Sequence, residues 1–192
     1  MDMAADIGGV RPLRADAARN RDRVLEVAYE TFAAEGLSVP VDEIARRAGV
    51  GAGTIYRHFP TKEALYAAVV AHRIRDMADR GRQLLQSGDP GEALFAFLRA
   101  MVLEWGASDH VLIDALAGRG IDVHAVAPEA DADARTLLGE LLAAGQEAGT
   151  VRADLDVPEL KAILVGCQAI GAYDAEVAAR ATDVVTDGLR PR

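Results

Sequence analysis

Nine of the chain's 21 Lys and Arg residues lie in the first 62 positions, in two groups: Arg11, Arg14, Arg19, Arg21 and Arg23, then Arg46, Arg47, Arg57 and Lys62. Grouped cations of this kind bind phosphate oxygens through charge-assisted hydrogen bonds, so the chemistry they suggest is recognition of a polyanion. The same stretch holds nine Asp and Glu and is neutral in sum, so the whole net charge of -9 comes from residues 63–192. Where a surface faces phosphates, clustering counts for more than the global total.

Other chemistry is sparse. Asp109, His110, Asp114, Asp122 and His124 are metal-ligand types, but Asp122 and His124 are two apart, unlike the i, i+4 pairs that preform a helical site. No metal and no cofactor is expected. Cys167 is the single cysteine and lies on an apolar helical stretch, which reads as packing rather than a nucleophile. There is no nucleophile beside a base, no phosphate loop and no carboxylate pair at a catalytic spacing, so the chain does not read as an enzyme.

The elements that must position the cations are helical. Apolar residues make up 51% and aromatics only 5%, Ala and Leu recur throughout, and nothing calls for a sheet or an internal repeat. No run approaches about 18 apolar residues and the first residues lack the apolar core of a signal peptide, so a reducing, cytoplasmic setting with no membrane partner is expected. Residues 1–15, with Gly8, Gly9 and Pro12, read as a basic arm. Leu25, Ala28 and Phe32 then predict a first helix from about Asp16 to the stop at Gly36. Pro40 to Ala48 predicts a second helix and residues 51–59 a third, with Gly49 between them. Thr61 caps a fourth from Lys62 to about Leu85. Five more follow, marked by residues 94–105, 111–116, 137–142, 158–171 and 177–189, with the Gly-rich and acidic segment 118–133 as a connection. The predicted division is an arm over 1–15, a first domain over 16–61 and a second over 62–192.

Within VDEIARRAGVGAGTIYRHF, Ala45 and Gly49 are four apart and flanked by Ile44, Val50 and Ile55. Two helices that cross steeply need a small residue at the contact and a glycine where the turn demands a positive torsion. Those two residues alone suit an ordinary helical hairpin equally well; the neighbours decide between the two. Tyr56, Arg57 and His58 precede Phe59, and TKEAL follows. Over roughly Arg19 to Val70 this resembles the TetR family of transcription regulators, in which a helix-turn-helix ends in this manner ahead of a capped fourth helix.

The resemblance implies an all-α chain of about nine helices, with an N-terminal three-helix DNA-binding domain followed by a helical ligand-binding and dimerisation domain. It places Gly51, Ala52, Gly53 and Thr54 at the start of the recognition helix and Tyr56 and His58 on phosphates. Lys62 approaches the DNA backbone, and Arg23 joins the contacts from the first helix. Arg57 reaches a base edge or a phosphate, or stays a solvated helix-end arginine. Because Gly51, Ala52 and Gly53 offer little side chain, discrimination would rest on Thr54, Arg57, groove shape and the basic arm. Tyr29 and Phe59 read as core.

For the second domain the resemblance implies a largely apolar effector pocket built by helices four to seven, with His72, Met77, Phe97, Met101, Trp105 and His110 as candidates. The eighth and ninth predicted helices, rich in small residues and with Gly166 and Gly171, would pair across a two-fold axis as a homodimer on a near-palindromic double-stranded DNA operator. The expected function is a repressor released by a small hydrophobic molecule. The competing reading is a ligand-binding helical protein or enzyme on the same fold that does not bind DNA.

Overall fold

Leu25, Ala28 and Phe32 recur at three and four residues, and the helix they define, α1 (Val10–Glu35), buries all three completely. The computed structural model describes residues 10–191, apart from the side chains of residues 10–18, 105–111, 123–124, 171–172 and 175. α1 starts six residues before the expected Asp16. Pro12 falls in its first turn, where a missing amide hydrogen costs nothing, so residues 10–15 of the expected arm are helical. Residues 1–9 lie outside the described residues.

α2 (Val41–Ala48) has Pro40 as an extended cap rather than as its first residue. Its end is set by Gly49 at φ 71°, a left-handed torsion that any Cβ would strain, and the Gly49 and Val50 amides donate back to Arg46 and Ala45. α3 (Ala52–His58) follows, closed by the Phe59 amide donating to the Ile55 carbonyl at 2.7 Å. Thr61 Oγ1 then accepts from the Ala64 amide at 3.1 Å and caps α4 (Lys62–Ser87).

The contacts divide the chain into two units, 1–69 and 70–192, and the division falls inside α4 rather than at Lys62. In the first unit, Leu25, Phe32, Ile44, Ile55, Leu65 and Tyr66 are fully buried. Tyr66 was not foreseen as core. Its ring meets Phe32 edge-on at 5.0 Å and its hydroxyl donates to the Leu37 carbonyl at 2.7 Å.

The second unit contains the rest of α4, then α5 (Ala93–Ala100), a π-helical turn over Met101–Trp105, α6 (Gly106–Ala117), α7 (Val123–Val126), α8 (Pro128–Glu147), α9 (Val157–Tyr173) and α10 (Ala175–Gly188). The all-α class is as expected, and no strand occurs among the described residues. About nine helices were expected, and the segment read as a connection also holds the single turn α7 and the start of α8 at Pro128. α9 opens on a capping box, in which Asp156 accepts from the Glu159 amide and Glu159 accepts from the Asp156 amide. α10 is capped by Asp174. Gly81 lets α4 approach α8 closely, because a Cβ there would meet Leu137 Cδ2 at 2.5 Å. Among the described residues no helix is long and apolar enough to cross a membrane.

Candidate functional site

At 100° per residue, a helix seated by Ile55 turns Gly53 and Arg57 directly away from its support, with Ala52 and Tyr56 on one flank and Thr54 and His58 on the other. The structure follows this. Ile55 is buried, Gly53 and Arg57 are exposed, and Tyr56 is 47% exposed. Thr54 and His58 border a small crevice against Asn20, Arg21 and Val24 of α1, so the Thr54 flank looks toward α1 while Arg57 lies on the open face. Gly51 is exposed and serves as the N-cap of α3, with no side-chain cap bond.

The cations around α3 differ in availability. Arg21 sits over the Phe59 ring at 5.6 Å. Arg23 is exposed, with its guanidinium beside Gly49. Arg46 and Arg47, counted above among the phosphate-facing cations, are both paired. Arg46 donates through Nε and Nη2 to Glu43 at 2.8 and 2.7 Å. Arg47 donates to Glu43 at 2.7 Å and also to Glu35 of α1. These guanidinium bonds pull the Glu43 carboxyl from its ordinary 4.5 down to about 2. A lowered folded value means the pairing is fully present above the ordinary value and is lost only as pH falls toward 2, so it persists throughout the neutral range.

Lys62 is tied as well: its ammonium donates to the Val39 carbonyl at 2.6 Å, clipping the start of α4 to the loop before α2. Lys62→Met is therefore expected to lower the melting temperature of the DNA-free protein, by about 1 kcal/mol of stability for one hydrogen bond. An unchanged melting curve would leave phosphate contact as the only role for that side chain.

The second unit contains a cavity of about 150 Å³. α4 contributes Val70, Ile74, Met77 and Ala78, a single face at spacings of three and four. Phe97 and Met101 line it from α5 and the π turn, both nearly fully buried, and Leu112 and Ile113 come from α6. Met77, Phe97 and Met101 were the expected members. His72 does not line it: it is five residues before Met77, about 140° round α4, and so falls off the cavity face. Trp105 and His110 have side chains outside the described residues.

Sequence reasoning missed a polar group in the wall. Asp131 on α8 is buried and accepts from Lys161 of α9 at 3.0 Å and from Arg135, one turn along α8, at 2.8 Å. All three line the cavity. The i, i+4 spacing of Asp131 and Arg135 was a visible signal, lost because Asp131 was assigned to a connecting segment. Cys167 is buried away from this wall, its thiol pushed up by desolvation. Among the described residues no three metal-ligating side chains converge.

Comparison with known proteins fits this geometry. The family described as "Bacterial regulatory proteins, tetR family" matches residues 24–69. "Transcriptional regulator SbtR-like, C-terminal domain" matches residues 89–191, more than half of the chain. A crystal structure of the TetR transcription regulatory protein from Mycobacterium vanbaalenii is 59% identical, with TM-score 0.79, over 94% of this chain and all of that one. A TetR transcriptional regulator from Streptomyces coelicolor is 34% identical, with TM-score 0.74, over 89% of this chain and 98% of its own. An HTH-type transcriptional regulator of Staphylococcus aureus (strain bovine RF122 / ET3-1) is 34% identical over 73 residues, which is 38% of this chain and 40% of that protein. This match spans well under half the length of the curated relative.

Proposed function

The chain belongs to the TetR family of bacterial transcription regulators, and from that premise we propose that it is a cytoplasmic repressor, not an enzyme, that leaves a near-palindromic operator when a small molecule fills the cavity of the second unit. The observation that carries the DNA-binding half is the open face of α3, where Gly53, Tyr56 and Arg57 stand clear with Ile55 anchored behind them. Gly53 lets the backbone approach base edges, and Arg57 supplies a fork of donors suited to a guanine edge or a phosphate. Thr54, on the α1 flank, contributes less than Arg57. Tyr56, His58 and Arg23 serve phosphates, which fix register without reading sequence.

The effector half rests on α4, which carries Tyr66 in the first unit's core and, from Val70 onward, one wall of the cavity. A molecule that prefers one setting of that helix shifts DNA affinity by its differential affinity for the two settings. Dimerisation rests on α9 and α10, where Tyr173, Val177 and Val184 are 90%, 49% and 67% exposed. A second copy packing there would form a four-helix interface. Val184→Glu is expected to raise the dimer dissociation constant at least tenfold by sedimentation; an unchanged value would place the interface elsewhere.

A gel shift on DNA flanking the chain's own coding sequence, followed by selection from a random library, tests the central reading. Retardation at a two-fold-symmetric site supports it, and failure to retain any library sequence overturns it. Glu43→Gln is expected to free Arg46 while Arg47 keeps its bond to Glu35, tighten binding to random-sequence DNA and steepen its salt dependence by about one unit of slope. A slope equal to wild type would show that Arg46 stays clear of phosphates even when released.

A further inference from the structure

The cavity wall is mainly apolar, and its polar side chains, Arg73, Asp131, Arg135, Lys161 and Gln168, have an excess of positive charge. Arg135 and Lys161 share the single carboxylate of Asp131, whose side chain is 11% exposed. Arg73 also lines the cavity and shares the Asp76 carboxylate with Arg80, at 3.2 and 3.0 Å, so it adds to the positive side of the balance. Two cations on one carboxylate leave one positive charge beside a space walled by Phe97, Met101, Leu137 and Leu138. The Lys161 side chain is 31% exposed and that of Arg135 54%, so the excess charge is partly solvated, but an anion on the cavity side would gain a direct charge-assisted pair. An arriving anion would complete the pairing; an arriving cation would have to compete with Arg135 and Lys161 for Asp131.

The size of the cavity narrows the choice further. An engineered apolar cavity of roughly 150 Å³ holds a benzene ring, so this cavity accepts one ring or a folded chain of about that bulk. Ile113 and Val165, exposed at its rim, leave room for a few more atoms. Resting on the reading of this cavity as the effector site, we propose that the effector is a small amphipathic carboxylic acid: its carboxylate is held by Arg135 and Lys161, and its body of about eight carbons fills the space between α4, α5 and α8.

The test is calorimetric titration of the full chain with octanoate and 3-phenylpropionate, each beside its neutral amide and its amine. At least one carboxylate is expected to bind about tenfold or more tightly than its amide, the step of one charge-assisted pair, with the amine weakest. Lys161→Met and Arg135→Gln are expected to lower carboxylate affinity several-fold while amide affinity stays within twofold. Asp131→Asn should raise carboxylate affinity, a gain that mere loosening of the wall would not produce. Equal binding of carboxylate and amide, tighter binding of the amine, or no binding of any of the six overturns the proposal. A gel shift in parallel separates the two readings. Carboxylate binding without release of DNA would leave the ligand class standing and remove the regulatory role, whereas DNA binding without anion preference would do the reverse.

Discussion

Ile55→Ala is expected to reduce operator affinity more than a hundredfold while the second unit stays folded. α3 has seven residues, too few to be stable as an isolated helix, and its N-cap Gly51 contributes no side-chain bond. Among the described residues of α3, Ile55 is the buried one, at 1% exposure. The helix that carries Arg57 is thus held in place by one side chain, helped by Phe59 just after its end. Truncating a fully buried isoleucine costs about 2–5 kcal/mol, and each 1.4 kcal/mol is about tenfold in an equilibrium. Much of that loss would appear as α3 detaching, since little else holds it. Fluorescence anisotropy with a labelled operator measures the affinity, and hydrogen exchange over residues 52–58 shows whether α3 has loosened. Ile55→Val, which keeps most of the volume, should lose about tenfold or less. Wild-type affinity in the alanine variant would mean that DNA is read by another face.

The helix-turn-helix was legible because its determinants are local. Gly49 must take a positive torsion, Pro60 must break a helix, and Ile44 and Ile55 are spaced to meet across the turn. The cap at Thr61 was legible for the same reason, since a hydroxyl acts within one turn of where it stands. What escaped depends on residues distant in sequence. Arg47 reads as a free cation until α1 is laid against α2 and Glu35, twelve residues earlier, reaches it. The bond from Lys62 to the Val39 carbonyl exists only once the loop before α2 is folded against the start of α4, 23 positions along the chain. Asp131 reads as one more acid in an acidic run, and only the packing of α8 on α9 shows that it faces Lys161, thirty residues on. His72 is the exception: its error was visible in the sequence, because five residues from Met77 on one helix cannot share Met77's face.

Tyr66→Ala is expected to separate the two units thermally, with the first melting well below the second. Tyr66 is among the largest fully buried side chains, and its removal takes away the edge-on contact with Phe32 and a packed ring, a loss of about 3–5 kcal/mol for a large aromatic. It also leaves the Leu37 carbonyl without the hydroxyl that donates to it at 2.7 Å. Domains commonly have only about 5–15 kcal/mol in total, so a unit of this size would be left near its threshold. The second unit has its own fully buried Leu94, Leu98, Leu141 and Leu160, none of which depends on Tyr66. Calorimetry should therefore resolve an early transition in the variant, and DNA binding should be lost at temperatures where carboxylate titration of the cavity is still measurable. Tyr66→Phe isolates the hydroxyl: it keeps the ring contact, should cost about 1–2 kcal/mol and should leave operator binding intact at low temperature. A single cooperative transition in Tyr66→Ala, with DNA and ligand binding lost together, would show that the two cores fold as one.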